Sequence, residues 1–228
     1  MENKHNLNYF KKSGWQRPLG FGLLIVGILL FWLGWSYFSY ILSVIFIPAG
    51  IILFLIGASV RSGDGDIDEF VEKHLADFNV SIEEDRNYAK RILKHIPREE
   101  IESYKFDDGL MFTKTKTGSV RSSEYVKSVV YVLSDGLYIA SRTVPIVSGS
   151  VSDKVYELSY PEIKKVEVVR EKKTLSYENR IFEVNDARLR IECADGSAVA
   201  SPSPDTIGVD QLVDKINMVK EKYTSDGQ

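Results

Sequence analysis

From Pro18 to Val60 the chain runs for 43 residues without a single Lys, Arg, Asp, Glu or His. As one helix this stretch would measure roughly 65 Å at about 1.5 Å per residue, about twice the roughly 30 Å hydrocarbon core of a bilayer. Two helices fit better. The first is predicted from Pro18 to Gly34 or Ser36 and the second from Ser39 to Val60, with Trp32, Trp35, Tyr37 and Tyr40 near the connection as an interfacial aromatic belt. The prediction is therefore a transmembrane helical hairpin over residues 18–60. Lys4, Lys11, Lys12 and Arg17 precede it, Arg61 follows it and the connector carries no charge. The positive-inside tendency then implies a multi-pass cell-membrane protein with two spans and both termini cytoplasmic. Gly20, Gly22, Gly27, Gly50 and Gly57 are the candidate positions for close transmembrane helix packing. Neither predicted span holds an ionisable residue, which points to an anchor in place of an ion or proton path.

The charges are unevenly divided. Of 29 basic and 32 acidic residues, the first 60 positions hold four basic and one acidic, leaving 25 basic and 31 acidic in the rest. A mildly acidic body of this size supports one sizeable core and argues against nucleic acid as a partner. Cys193 is the only cysteine, so no internal disulfide forms. Its phase matches Leu189 and Ile191, which predicts a buried thiol.

Residues 1–17 read as a basic cytoplasmic N-terminus, and residues 61–97 as a linker with a short helical pair. Asp66 with Glu69, and Ser81 with Glu84, have capping-box spacing ahead of apolar positions at helical period. Beyond Pro97 the period drops to two. Runs such as "IESYKF", "YVKSVVYVL", "LYIASRTV", "VYELSY", "KKVEVVR", "RIFEVN", "RLRIEC" and "SAVAS" are separated by turn signals at Asp108-Gly109, Thr117-Gly118, Asp135-Gly136, Asn185-Asp186 and Asp195-Gly196. Residues 98–228 are thus expected to form a mainly antiparallel β barrel or sandwich, closed by an amphipathic C-terminal α-helix over 206–223.

The order of elements over about 125–223 resembles the pleckstrin-homology superfold, in particular small bacterial membrane-linked versions. The pieces that carry the resemblance are "VVYVLSDGLYIASR", "VYELSYPEIKKVEVVR", "IFEVNDARLRIECADG" and the final helix. It implies a PH-like cytoplasmic domain, on a scaffold that serves lipid binding, peptide binding and plain assembly.

Lys164, Lys165, Arg170, Lys172, Lys173 and Arg180 are the candidate contacts for an anionic lipid or small anionic ligand. No spacing marks a nucleophile, an acid/base pair, a metal site or a phosphate loop, so no catalytic, metal or cofactor residue is predicted and no enzyme activity is expected. The functional expectation is a membrane-anchored binding or assembly module with the lipid bilayer and a protein partner, or its own copies as a homo-oligomer. The alternatives are a ligand-gated membrane effector whose barrel senses an anionic molecule, and a peripheral lipid enzyme.

Overall fold

The computed structural model describes residues 2–11, 16–33, 37–59, 63–78, 91–93 and 96–226. The chain divides into two compact units, Met1–Gly63 and Asp64–Gln228.

The first unit is helical: α1 (Glu2–Phe10), α2 (Gln16–Leu33) and α3 (Tyr37–Ser59). Helix α1 falls where the sequence suggested only a basic terminus, and it buries Asn6 and Phe10. Helix α3 continues through Pro48 without interruption. By length and composition α3 is the one helix among the described residues able to cross a membrane, through Tyr37–Ile56 with a mean hydropathy of 2.5. The apolar part of α2 is shorter, Pro18–Leu33, which corresponds to roughly 24 Å of helix. This corrects the expected two-span anchor: one candidate spanning helix is present, and the multi-pass cell-membrane placement with both termini cytoplasmic loses its basis. Hydropathy could not tell a charge-free run from two full-length spans, because it carries no information on where a helix begins or ends.

The second unit starts with α4 (Asp64–Leu75), whose Asp64 and Asp66 lie in the first turn where the helix dipole favours acids. Its Ile67, Phe70 and Val71 are buried. Most of the second helix expected from Ser81 to Pro97 lies outside the described residues, but its expected last turn is not helical, since Ile92 forms an isolated antiparallel bridge with Leu133. Then follow β1 (Glu99–Tyr104), β2 (Phe112–Lys114), β3 (Val120–Ser122), β4 (Glu124–Val132), β5 (Gly136–Pro145), β6 (Ser152–Ser159), a 3-10 turn at Tyr160–Glu162, β7 (Ile163–Tyr177), β8 (Arg180–Cys193), β9 (Ala198–Ser203) and α5 (Ile207–Asp226).

These strands form three antiparallel sheets, ordered β1-β4-β5-β6, β2-β3 and β7-β8-β9. No ladder joins β6 to β7 or β9 to β1, so the sheets stay open and the expected closed barrel is not formed. The unit is a mixed α/β domain of open sheets. The break comes at the corner after β6, where Tyr160 and Pro161 form a 3-10 turn and the Tyr160 hydroxyl donates to the Leu133 carbonyl at 2.9 Å. Pairing cannot run through a turn that is tied to a different strand end.

Among the described residues, three apolar clusters hold the unit. The largest lies between the two larger sheets under α5 and joins Ile101, Val130, Leu137, Ile139, Val166, Leu189 and Ile191 to Leu212 and Ile216. A second covers the opposite face of β4 and β5 with Phe78. A third joins the far end of the β7-β8 hairpin to the β2-β3 ribbon through Phe106, Phe112, Leu175 and Phe182. Cys193 is free and buried.

Two details depart from the sequence expectation. Asn185-Asp186, read as a turn, lies inside β8 opposite Lys172 and Glu171. The reversal between β7 and β8 is instead made by Glu178 and Asn179, both at positive φ (47° and 59°), a two-residue hairpin turn without glycine. At Gly136 the close approach of β6 decides the residue, since a Cβ there would stand 2.1 Å from the Leu158 carbonyl oxygen.

Candidate functional site

Side chains alternate along a strand, so β7 distributes the basic residues over both of its faces. Lys165 and Lys173 share one face, Arg170 and Lys172 the other, while Arg180 stands at the start of β8. They therefore do not form one contiguous patch. Most are also paired. Lys164 reaches Glu192 at 2.6 Å, Lys165 reaches Glu167 at 2.6 Å, and Arg170 bridges Asp205 at 2.6 Å and Asp210 at 2.7 Å. Arg180 lies 3.6 Å from Glu178 and stacks over the Tyr177 and Phe182 rings. Lys172 is exposed and makes no ion pair among the described residues. The hydrogen bonds that Arg170 donates to Asp210 and Asp205 raise its pKa, and the hydrogen bond from Lys164 holds Glu192 below the usual carboxylate range. The local field is thus largely cancelled within the sheet.

Lys173 belongs to a tighter constellation that sequence reading missed. The buried Asp186 carboxylate accepts from Lys173 at 2.6 Å and from Arg188 Nε at 2.7 Å. Arg188 and Lys173 both donate to the Phe106 carbonyl at 3.1 Å, and Arg188 also binds Asp107. Burial opposes ionisation of Asp107, but hydrogen bonds and charge from Arg188 and Lys105 prevail and lower its pKa. A shallow recess of about 230 Å³ lies beside this network, lined by Glu171, Arg190 and Ala200. The network fastens the bend after β1 to the β7-β8-β9 sheet. The signal available in the sequence was an Asp within a strand-length run next to Arg188, and its turn propensity hid it.

Arg142 plays the corresponding part on the other sheet. It is buried, donates to Asp153 at 2.7 and 2.6 Å and to the His74 carbonyl at 3.0 Å, binds Asp77, and lies over the Phe78 ring at 5.1 Å. Arg121 holds the other end of α4 through the Asp64 carbonyl at 3.0 Å and Asp68 at 2.9 Å. Helix α4 is therefore pinned at both ends across the β1-β4 face. Between the pins a groove of about 440 Å³ remains, with Glu72 and Glu102 on its walls.

In the helical unit, the candidate packing glycines separate into groups. A Cβ on Gly20 would meet the Phe54 nitrogen at 2.6 Å, and one on Gly50 would meet the Gly20 carbonyl oxygen and the Leu24 nitrogen, each at 2.8 Å. On Gly27 it would meet Ile47 Cγ1 at 2.8 Å. Gly20, Gly27 and Gly50 thus line the α2-α3 contact, Gly22 faces open space, and the surroundings of Gly57 lie outside the described residues. Among the described residues no group of three or more His, Cys, Asp or Glu side chains is placed to hold a metal ion.

Comparison with protein-family models, with curated proteins and with solved structures finds no match for this chain. The pleckstrin-homology resemblance, read from strand lengths and turns, is therefore not supported, and the bacterial and PH-like assignments that depended on it are withdrawn. The β-rich unit is a compact α/β domain with extensive inter-strand contacts, an architecture able to serve as a structural or binding module.

Proposed function

We propose that the protein is a binding and assembly module that holds a protein partner, or further copies of itself, beside an apolar phase that takes up its helical unit. The observation that carries this reading is the outer surface of α2 and α3, where Trp32, Tyr37, Phe38, Val44, Ile52 and Leu55 are exposed. An apolar surface of that extent on one unit calls for a partner to remove it from water. A lipid bilayer is the proposed partner of this surface, with α3 as its one helix of sufficient length. The charge-paired α/β unit would then carry the protein contacts. The convergent titratable groups, such as Asp186 with Lys173 and Arg188, are taken up in pairing with one another, which favours binding over chemistry as the working reading.

The test has two arms. The full chain is mixed with neutral phosphatidylcholine vesicles and floated on a density gradient, and in parallel it is crosslinked in mild detergent and sized. Flotation together with a discrete crosslinked oligomer or a stoichiometric protein partner supports the proposal. A chain that stays at the bottom of the gradient as an uncrosslinked monomer sinks it.

A further inference from the structure

The groove between α4 and the β1-β4 face has a composition that selects a ligand class. Its floor is apolar, made by Val71 and Leu75 of α4 with the ring of Tyr125 from β4. Its charged rim comes from two distant parts of the chain, Asp68 and Glu72 on the helix and Glu102 on β1, with Lys127 on β4 as the single cation among the described residues. Two of these four charges are already neutralised: Asp68 by Arg121 at 2.9 Å and Lys127 by Glu100 at 2.7 Å. Glu72 and Glu102 are exposed and make no ion pair among the described residues. The groove thus retains two uncompensated carboxylates above an aliphatic and aromatic floor. The Tyr125 hydroxyl has its pKa raised first by burial and next by the charge of Glu102, so the negative field reaches into the groove.

We infer that this groove binds the basic side chains of a partner peptide, a lysine or arginine whose aliphatic stem lies over Val71, Leu75 and Tyr125 while its cation meets Glu72 and Glu102. Long basic side chains join an apolar stem to a charged tip, and this groove offers the complementary surfaces in that order. Among the described residues the groove is partly open to solvent, which admits a side chain still attached to its backbone. Pinning of α4 by Arg121 at one end and Arg142 at the other holds the two walls apart, so little ordering is needed on binding. The inference rests on the binding-module reading and names the chemistry of the partner.

The test measures fluorescence anisotropy of a short fluorescein-labelled peptide alternating lysine and alanine, titrated with the full chain in detergent at low salt. Its glutamate-alanine counterpart serves as the control probe. Two double variants are compared, Glu72→Gln with Glu102→Gln, and Glu183→Gln with Glu221→Gln, which removes two exposed carboxylates outside the groove. The lysine peptide is expected to bind the unmodified chain and the control variant alike, and to bind the groove variant about tenfold more weakly. Equal weakening in both variants would show a general charge effect and overturn the inference, as would a lysine peptide that does not bind at all. Displacement by free spermidine at a concentration lower than that of the unlabelled peptide would assign the groove to a small polyamine and also overturn it. If flotation and crosslinking of the full chain succeed while the peptide fails to bind, the groove inference falls and the binding-module reading stands.

Discussion

Where α2 meets α3, Gly20 and Gly50 bring two backbones within reach of each other and many of the large side chains lie outside. In the α/β unit the arrangement is reversed: Ile139, Leu189 and Ile216 meet in the middle, and charged residues on the outside are paired. The first pattern suits a helix pair whose surroundings are themselves apolar, since large side chains gain nothing from hiding in such a phase. The second suits water, where apolar area buried is the main source of stability. One chain therefore carries two packing rules, and substitutions should tell them apart.

The largest effect is expected from Ile216→Ala, which empties a fully buried position in the main cluster. It should destabilise the α/β unit by about 2–5 kcal/mol in urea titration followed by tyrosine fluorescence. A loss below about 1 kcal/mol would mean that α5 does not complete that core. Gly50→Leu should cost the helix pair about 1–3 kcal/mol through overpacking, seen as earlier thermal loss of helical signal in detergent, whereas Gly22→Leu should leave it unchanged. Equal effects from the two would break the contrast between the units.

Acid provides a further probe. The Asp107 pKa is lower in the folded chain than its ordinary value, so its contribution is present at pH above that ordinary value and disappears as pH falls through the folded value. Stability of the α/β unit should therefore decline below about pH 4, and Asp107→Asn should flatten that decline. A variant with an unaltered acid profile would remove Asp107 from the account. The smallest effect is expected at Ser203, a buried hydroxyl that has no hydrogen-bond partner among the described residues. Ser203→Ala should be neutral or stabilising by up to about 1 kcal/mol in the same urea assay. A clear loss of stability would show that the hydroxyl is satisfied in solution.

The sequence carried the local parts of this structure and lost the relations between distant ones. Alternation found most strands, and helical period found α4 and α5, because each depends on neighbours along the chain. It misplaced one boundary, since Asn185-Asp186 has turn chemistry but Asp186 is held in β8 by Lys173 and Arg188. It also missed the Glu178-Asn179 turn, because neither residue is glycine although both adopt positive φ. Barrel closure depends on whether β6 meets β7 and β9 meets β1, and no periodicity encodes that. The basic candidates looked like a patch in one dimension and were then divided by the faces of β7. The groove was not legible at all, because Glu72 and Glu102 are brought together only by the packing of α4 on the sheet.

The β7-β8 hairpin has a consequence for the order of folding. Its register runs from Tyr177-Arg180 back to Ile163-Cys193 around one two-residue turn, so its contacts begin between near neighbours in sequence. Such a ladder closes with little loop entropy, whereas β1 must find β4 from a greater distance along the chain. The same ribbon supplies Leu175 and Phe182 to one cluster and Val166, Leu189 and Ile191 to another. An early hairpin would thus act as a template on which both clusters condense, and kinetic φ-values near its turn should exceed those measured in β1.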